Sequence, residues 1–369
     1  MAHLRQIAYN PPSCDSRIMT VAVRSFAKIN LGLYIGAARA DGFHDLRTVY
    51  QTIALHDVIR VSVERNVERN VKRSGERKSG RGSGIEIEIE ILCTNKDPRV
   101  PLDSSNTCYR IARRVMEELG CAGRLRIEIE KRLPVQGGLG AASSNAVATM
   151  VGLERALNKK LSRAARLRIA AEVGSDLPLF VVGGTVLGVG RGEEVYPLPD
   201  LASVAMVVVT PEVGVSTTGA FSDWDAIVGH STGGEQLTES PASDRLVEVG
   251  RVLSAWLCGF SSGYPNTGAS AKGGSRVEKL LLSLVRTGIE NDFERVVFPK
   301  YPELRDIKGA LERAGAKYAS LSGSGSSLYG LFRLRADAAK AAGLLRKQGL
   351  KAVATSMVAR QKYWERFLD

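Results

Sequence analysis

The sequence predicts an α+β protein of two domains, and three observations carry that prediction. Residues 21–35, VAVRSFAKINLGLYI, alternate with period two, as a strand with one buried face does. A glycine cluster at 137–140 sits between a strand-like run and a helical run. Near residue 200 the character resets with the apolar strand VAMVVVTP (204–211). That reset divides the chain into a first domain at 21–200 and a second at 201–369. Residues 1–20 precede both, and within them 1–18 are either a flexible leader or sequence upstream of a true start at Met19.

The elements follow in order. In the first strand Val21, Val23, Ala27, Ile29, Leu31, Leu33 and Ile35 share one face, while Arg24, Lys28 and Asn30 project from the other. Asp41-Gly42 marks a turn. Strands are expected at about 48–63, at 85–92 (IEIEIEIL) and at 124–133, where Pro134 stops the last. Residues 101–120 supply a Ser/Asn cap and an amphipathic helix ending at Gly120. After the glycines, Ala146, Met150, Leu153 and Leu157 fall on one face of a second helix. A helix at about 161–173, the turn GSDLPLF (174–180) and a hairpin at 183–199 complete this part. Two Gly/Ser-rich stretches, 229–244 and 261–276, read as mobile surface loops. The remainder reads helix, helix, strand, glycine loop, strand, helix, strand.

Composition narrows the class. With 369 residues, 44% apolar and 24% charged, the chain is of globular type. It has no run of about 18 apolar residues to span a membrane, and its first twenty residues lack the apolar core of a secretory signal. Cys14, Cys93, Cys108, Cys121 and Cys258 show no C-x-x-C spacing, which favours a reducing compartment, with the cytoplasm expected, over a zinc site. The net charge of +12 raises the question of nucleic acid. Residues 64–84 hold seven Lys/Arg against three Glu, +4 of that total, but no aromatic interleaves them to stack bases. The segment reads as a solvated hairpin tip, and no nucleic-acid or membrane partner is expected.

The strongest chemical signal is Gly137-Gly138-Leu139-Gly140-Ala141-Ala142-Ser143-Ser144. Glycines let backbone N–H groups converge on a ligand, and a helix N-terminus behind them favours an anion. Alone, the loop also reads as a structural turn with a serine cap. It is not a Walker loop, since the chain has no Gly-Lys pair, and Ser143 stands where a dinucleotide fingerprint needs Gly or Ala. A third kind of phosphate loop remains. A second glycine loop, Ser322-Gly323-Ser324-Gly325-Ser326-Ser327, suggests the opposite wall of one anionic pocket. Asp176, Lys28 and His44 are each unremarkable in isolation: a helix cap, a surface lysine, a turn histidine.

Together these stretches resemble the GHMP kinase superfamily, and within it the branch that phosphorylates cytidine diphosphate methylerythritol. The resemblance is carried by AKINLGLYIGAARADGFHDLRTVYQTIALHD (27–57), LPVQGGLGAASSNA (133–146), SDLPLFVVGGTVLGVGRGEEVYPLP (175–199) and SLSGSGSSLYGLF (320–332). AKIN, DGFH and QTIALHD point to that branch, whereas the glycine loops specify only the superfamily. It implies a two-domain α+β fold with the active site in the interdomain cleft, ATP and Mg²⁺ as cofactors, and a monomer or weak dimer. Asp176 would accept the proton of the substrate hydroxyl, with Lys28 beside it, and Asn30 would contact the methylerythritol portion. His44 and Phe43 would recognise the cytosine, with Phe221 as the second aromatic of a sandwich. Asn106 and Lys131 would flank the ATP base and ribose. The loop from Gly138 to Ser144 would hold the phosphates, with magnesium near the serine hydroxyls and its ligands unspecified. Ala141, Ala142 and Asn145 depart from the usual GLGGGSSDAA: the two alanine Cβ atoms are expected to restrict the loop, Asn145 removes a carboxylate, and Phe43 replaces a tyrosine. Two rivals remain: a related kinase for homoserine, mevalonate or a sugar, and a non-catalytic nucleotide- or RNA-binding protein.

Overall fold

A computed structural model describes residues 19–64, 86–231 and 288–368, with isolated helical positions between 247 and 285. The leader at 1–18, the basic insert beyond Glu64, the expected loop from 232 onward and the loop at 261–276 lie outside the described residues.

Two long antiparallel strands, β1 (Met19–Ala38) and β2 (His44–Glu64), form the spine. They are joined by the expected turn, in which Gly42 takes φ of 79°. Then come β3 (Ile87–Cys93), α1 (Thr107–Glu118), β4 (Gly123–Glu130), α2 (Ala141–Leu157), α3 (Arg163–Val173), α4 (Leu177–Val182), β5 (Thr185–Val189) and β6 (Glu194–Pro197). These strands make one sheet in the order β3-β4-β2-β5-β6, with β1 on the other edge of β2. The insert at 64–84 is therefore not the tip of a two-stranded hairpin. Its flanking strands β2 and β3 are separated by β4, which is antiparallel to one and parallel to the other.

The rest of the chain supplies β7 (Ala205–Val209), α5 (Thr217–Ser231), α6 (Glu294–Lys300), α7 (Pro302–Arg313), β8 (Tyr318–Leu321), β9 (Leu328–Phe332), α8 (Arg335–Lys347), β10 (Ala352–Ser356) and α9 (Arg360–Phe367). Residues 229–231, expected in a loop, end α5 instead. The second sheet runs β10-β7-β9-β8 and is wholly antiparallel. α9 returns to the first core, where Tyr363 and Phe367 pack with Phe26, a return that the reading of 201–369 as one unit did not include.

β1 does not keep one apolar face throughout. The register shifts between Phe26 and Lys28 and again between Asn30 and Gly32. Such bulges re-aim side chains, often beside active sites. Val23 and Phe26 pack in the first core, Ala27, Ile29 and Leu31 face Met206, Val208, Tyr329 and Leu331 between the sheets, and Leu33 and Ile35 reach the second core. Its outer edge is capped: Lys28 N donates to Leu139 O (3.0 Å) and Asp292 N to Leu33 O (2.8 Å). The polar side chains expected on an open face are thus enclosed, with Lys28 3% and Asn30 1% exposed.

Candidate active site

The loop after β4 reaches α2 through left-handed residues. Gln136, Gly138 and Gly140 have φ of 58°, 74° and 69°, a backbone that turns amides to one side. The first N–H groups of α2 add orphan donors and the positive end of its dipole. The second glycine loop packs directly on the first. Ser322 Oγ donates to Gly138 O (3.0 Å) and Ser327 N to Gly137 O (3.1 Å). A Cβ on Gly138 would lie 2.0 Å from Ser322 O, so the contact requires glycine.

Two expectations about this loop change. Ala141 and Ala142 form the first turn of α2 with ordinary right-handed backbone, so their Cβ atoms do not restrict the loop. Ser144 turns inward: its fully buried hydroxyl donates to Phe26 O (2.6 Å) and accepts from Ser25 Oγ (2.8 Å). It cannot serve phosphate or metal from there. Asn145 is also buried, and its Nδ2 donates to Asp57 Oδ2 (3.0 Å). Asp57 accepts further from Lys131 Nζ and from the Arg132 and Leu133 amides, each at 2.7 Å. This network binds β2, the loop's entry and the start of α2 into one unit, which satisfies every charge it buries.

Two of the cavities that border the loop share its glycines. The smaller, about 350 Å³, is lined by Val100, Asn106, Lys131 and residues 134–143, among others. The larger, about 520 Å³, is lined from both sheets: Lys28 and Asn30 from β1, Asp176 before α4, Phe221 from α5, and Gly323 and Ser324 from the second glycine loop. Gly138, Gly140 and Ser143 line both. The two chambers therefore share one wall made by the glycine loop. Gly140 also leaves room for the Lys28 stem and the Phe180 ring, since a Cβ there would lie 3.0 Å and 2.9 Å from them.

Lys28 and Asp176 come together as the family resemblance implied, with Nζ 3.5 Å from Oδ2. Asp176 occupies the cap position of α4 but makes no capping hydrogen bond with its side chain. Its other oxygen accepts from Tyr50 OH (3.1 Å). Burial first, then the neighbouring Asp176 carboxylate, push the Tyr50 phenol well above its usual pKa, so it remains a donor. Lys28 Nζ also donates to Asn30 Oδ1 (2.7 Å), whose Nδ2 donates to Thr48 Oγ1 (2.7 Å). Sequence reasoning missed Tyr50 and Thr48. The register that places Tyr50 opposite Asn30 was the signal, and it needs the strand pairing to be known. Tyr50→Phe is expected to lower kcat about tenfold, by one lost hydrogen bond to a charged group, with KM for both substrates little changed. A large KM effect in steady-state kinetics would place Tyr50 in binding instead.

Of the nucleotide residues, Asn106 lines the smaller cavity while its amide is engaged. Its Oδ1 caps α1 through Cys108 N (2.8 Å), and its Nδ2 donates to Pro101 O (2.6 Å). Lys131 lines the same cavity while paired with Asp57. The larger cavity is also lined by the three residues expected at the cytosine, Phe43, His44 and Phe221. The His44 ring itself stacks on Phe221, with centroids 4.9 Å apart and planes 13° off parallel. Phe43 is exposed, and the Arg191 guanidinium lies 4.9 Å from its ring centroid.

Two sheets joined through β1, a glycine cradle at a helix start and a carboxylate–ammonium pair beside it define a small-molecule kinase of the GHMP type. Family models agree: "GHMP kinases N terminal domain" matches residues 106–184 and "GHMP kinases C terminal" matches 276–349. Among curated proteins, the 4-diphosphocytidyl-2-C-methyl-D-erythritol kinase of Solibacter usitatus is 34% identical over 94% of this chain and 92% of its own length. That of Chlorobium limicola is 31% identical over 92% and 98%. A crystal structure of 4-(cytidine 5'-diphospho)-2C-methyl-D-erythritol kinase superposes with TM-score 0.62 at 25% identity, covering 91% of this chain and 98% of that one. The homoserine kinase of Cytophaga hutchinsonii, TM-score 0.61 at 19% identity over 97% and 99%, shares the fold. The chain belongs to the 4-diphosphocytidyl-2-C-methyl-D-erythritol kinase family.

Proposed function

We propose that the chain transfers the γ-phosphate of ATP to the 2-hydroxyl of 4-diphosphocytidyl-2-C-methyl-D-erythritol, a step of isoprenoid-precursor synthesis by the non-mevalonate route. The observation that carries this reading is the shared wall of Gly138, Gly140 and Ser143 between a nucleotide-sized chamber and one containing Asp176 and Lys28. As the substrate oxygen attacks the γ-phosphorus, its proton passes to Asp176 and the bond to the ADP oxygen breaks. Lys28 lowers the cost of negative charge on that oxygen, and the loop amides face the charge on the phosphoryl oxygens. Positioning and electrostatics suffice for this chemistry, so no covalent intermediate is needed.

Mg²⁺ fits as an ion carried in on the triphosphate, which needs few protein ligands. Among the described residues no group of three or more His, Cys, Asp or Glu could hold a metal. Ser143, which lines both chambers, is the hydroxyl placed to meet it, since Ser144 faces away. The cytosine is read by the edge of His44, with the Phe43 ring as its stacking surface. No helix of the described residues is long and apolar enough to cross a membrane. A cytoplasmic monomer or weak dimer with no nucleic-acid partner is consistent with this reading.

An ADP-release assay against CDP-methylerythritol, homoserine, mevalonate and galactose tests it. Turnover with the first alone is expected, and comparable turnover with another alcohol would reject the assignment. His44→Ala is expected to raise KM for the cytidine substrate about tenfold with little change in kcat. An unchanged KM in the same assay would remove His44 from the base site.

A further inference from the structure

Asp225 lies one turn beyond Phe221 on α5, so the two share a helix face. Phe221 stacks on the His44 ring, and Asp225 Oδ1 lies 2.7 Å from His44 Nε2. The imidazole, 6% exposed, is thus held by two contacts from one helix. Among the described residues no second hydrogen bond is made by its ring. His44 lines the larger cavity, and Nδ1 is the ring nitrogen that Asp225 does not engage.

A carboxylate can only accept, so the Asp225 contact requires a proton on Nε2. In the neutral ring Nδ1 then keeps its lone pair. Cytosine displays an amino donor at C4, where uracil displays a carbonyl acceptor. We infer that Asp225 is a positioning residue that sets the choice of base: by holding the proton on His44 Nε2, it makes Nδ1 an acceptor for the cytosine amino group and a repellent for the uracil carbonyl. The inference rests on the cytidine reading of the substrate.

Asp225 is 54% exposed on its side chain, so its replacement leaves the fold standing. The test compares kcat/KM for CDP-methylerythritol with that for its UDP analogue in the wild type, Asp225→Ala, Asp225→Asn, His44→Ala and the His44→Ala/Asp225→Ala double variant. The wild type is expected to prefer cytidine at least tenfold. Asp225→Ala loses about tenfold of that preference, mainly through KM. Asp225→Asn falls between, because its amide can accept from Nε2–H but can also turn to donate. In the His44→Ala background Asp225→Ala changes nothing further. Nitrogen-15 spectra of the His44 ring should show Nε2–H in the wild type and a mixture of tautomers in Asp225→Ala.

A preference that survives Asp225→Ala, an equal loss without His44, or a wild-type ring protonated only on Nδ1 would overturn the role of Asp225. A wild type that phosphorylates neither pyrimidine substrate would instead overturn the substrate reading, and the role of Asp225 with it.

Discussion

Asp176→Asn is expected to lower kcat by about 10²- to 10⁴-fold, the range that a positioned general base supplies, while the protein folds normally. The replacement is isosteric, and its carbonyl oxygen can still accept from Tyr50 OH, now 3.1 Å from Oδ1. α4 does not depend on the carboxylate, since the residue at its cap position makes no side-chain capping bond. The lost ion pair with Lys28 is long, at 3.5 Å, and Asp176 is 33% exposed, so its stabilising contribution is small. What the variant loses is the ability to take a proton, because an amide oxygen is a far weaker base than a carboxylate. KM for ATP should hold, because the chamber proposed for the nucleotide is not lined by Asp176. Turnover near the wild-type rate, with an unchanged melting temperature, would exclude Asp176 as the base.

That pair was legible only through the family resemblance of AKIN and SDLPLF, since each residue alone reads as a surface lysine or a helix cap. The cap at Asn106 and the helix after the glycines were visible locally, since capping and periodicity act within a few residues. What escaped were consequences of pairing. The bulges in β1 arise only against β2, and they decide that Val23 and Ala27 pack in different cores. Ser144 looked like a phosphate ligand because it follows the glycine loop, but Ser25 and the Phe26 carbonyl, far back in the chain, turn its hydroxyl inward. The enclosure of Asp57 by Lys131 and Asn145 is likewise a three-element contact with no local signature. The arrangement within the base site had no local signature either. Each aromatic was identified, but nothing in the sequence says that His44 and Phe221 stack on each other.

Gly138→Ala is expected to weaken ATP binding tenfold or more and to lower the melting temperature by several degrees. Two costs combine. At φ of 74° an L-residue meets its own carbonyl, a penalty of about 1–2 kcal/mol. The new Cβ would also lie 2.0 Å from Ser322 O and 3.0 Å from Gly325 O. Both atoms are backbone, which cannot swing aside as the end of a long side chain can. The two glycine loops must therefore separate, which stretches the Ser322 Oγ contact with Gly138 O and widens the wall shared by the two chambers. Gly120→Ala separates strain from crowding. Its φ of 59° carries a similar backbone penalty, but nothing lies within 4 Å of the added Cβ. That variant should lose some stability, about 1 kcal/mol, and keep its KM for ATP. If the two variants proved alike in both melting temperature and KM, the loops would not be packed as described, and the phosphate cradle would have to lie elsewhere.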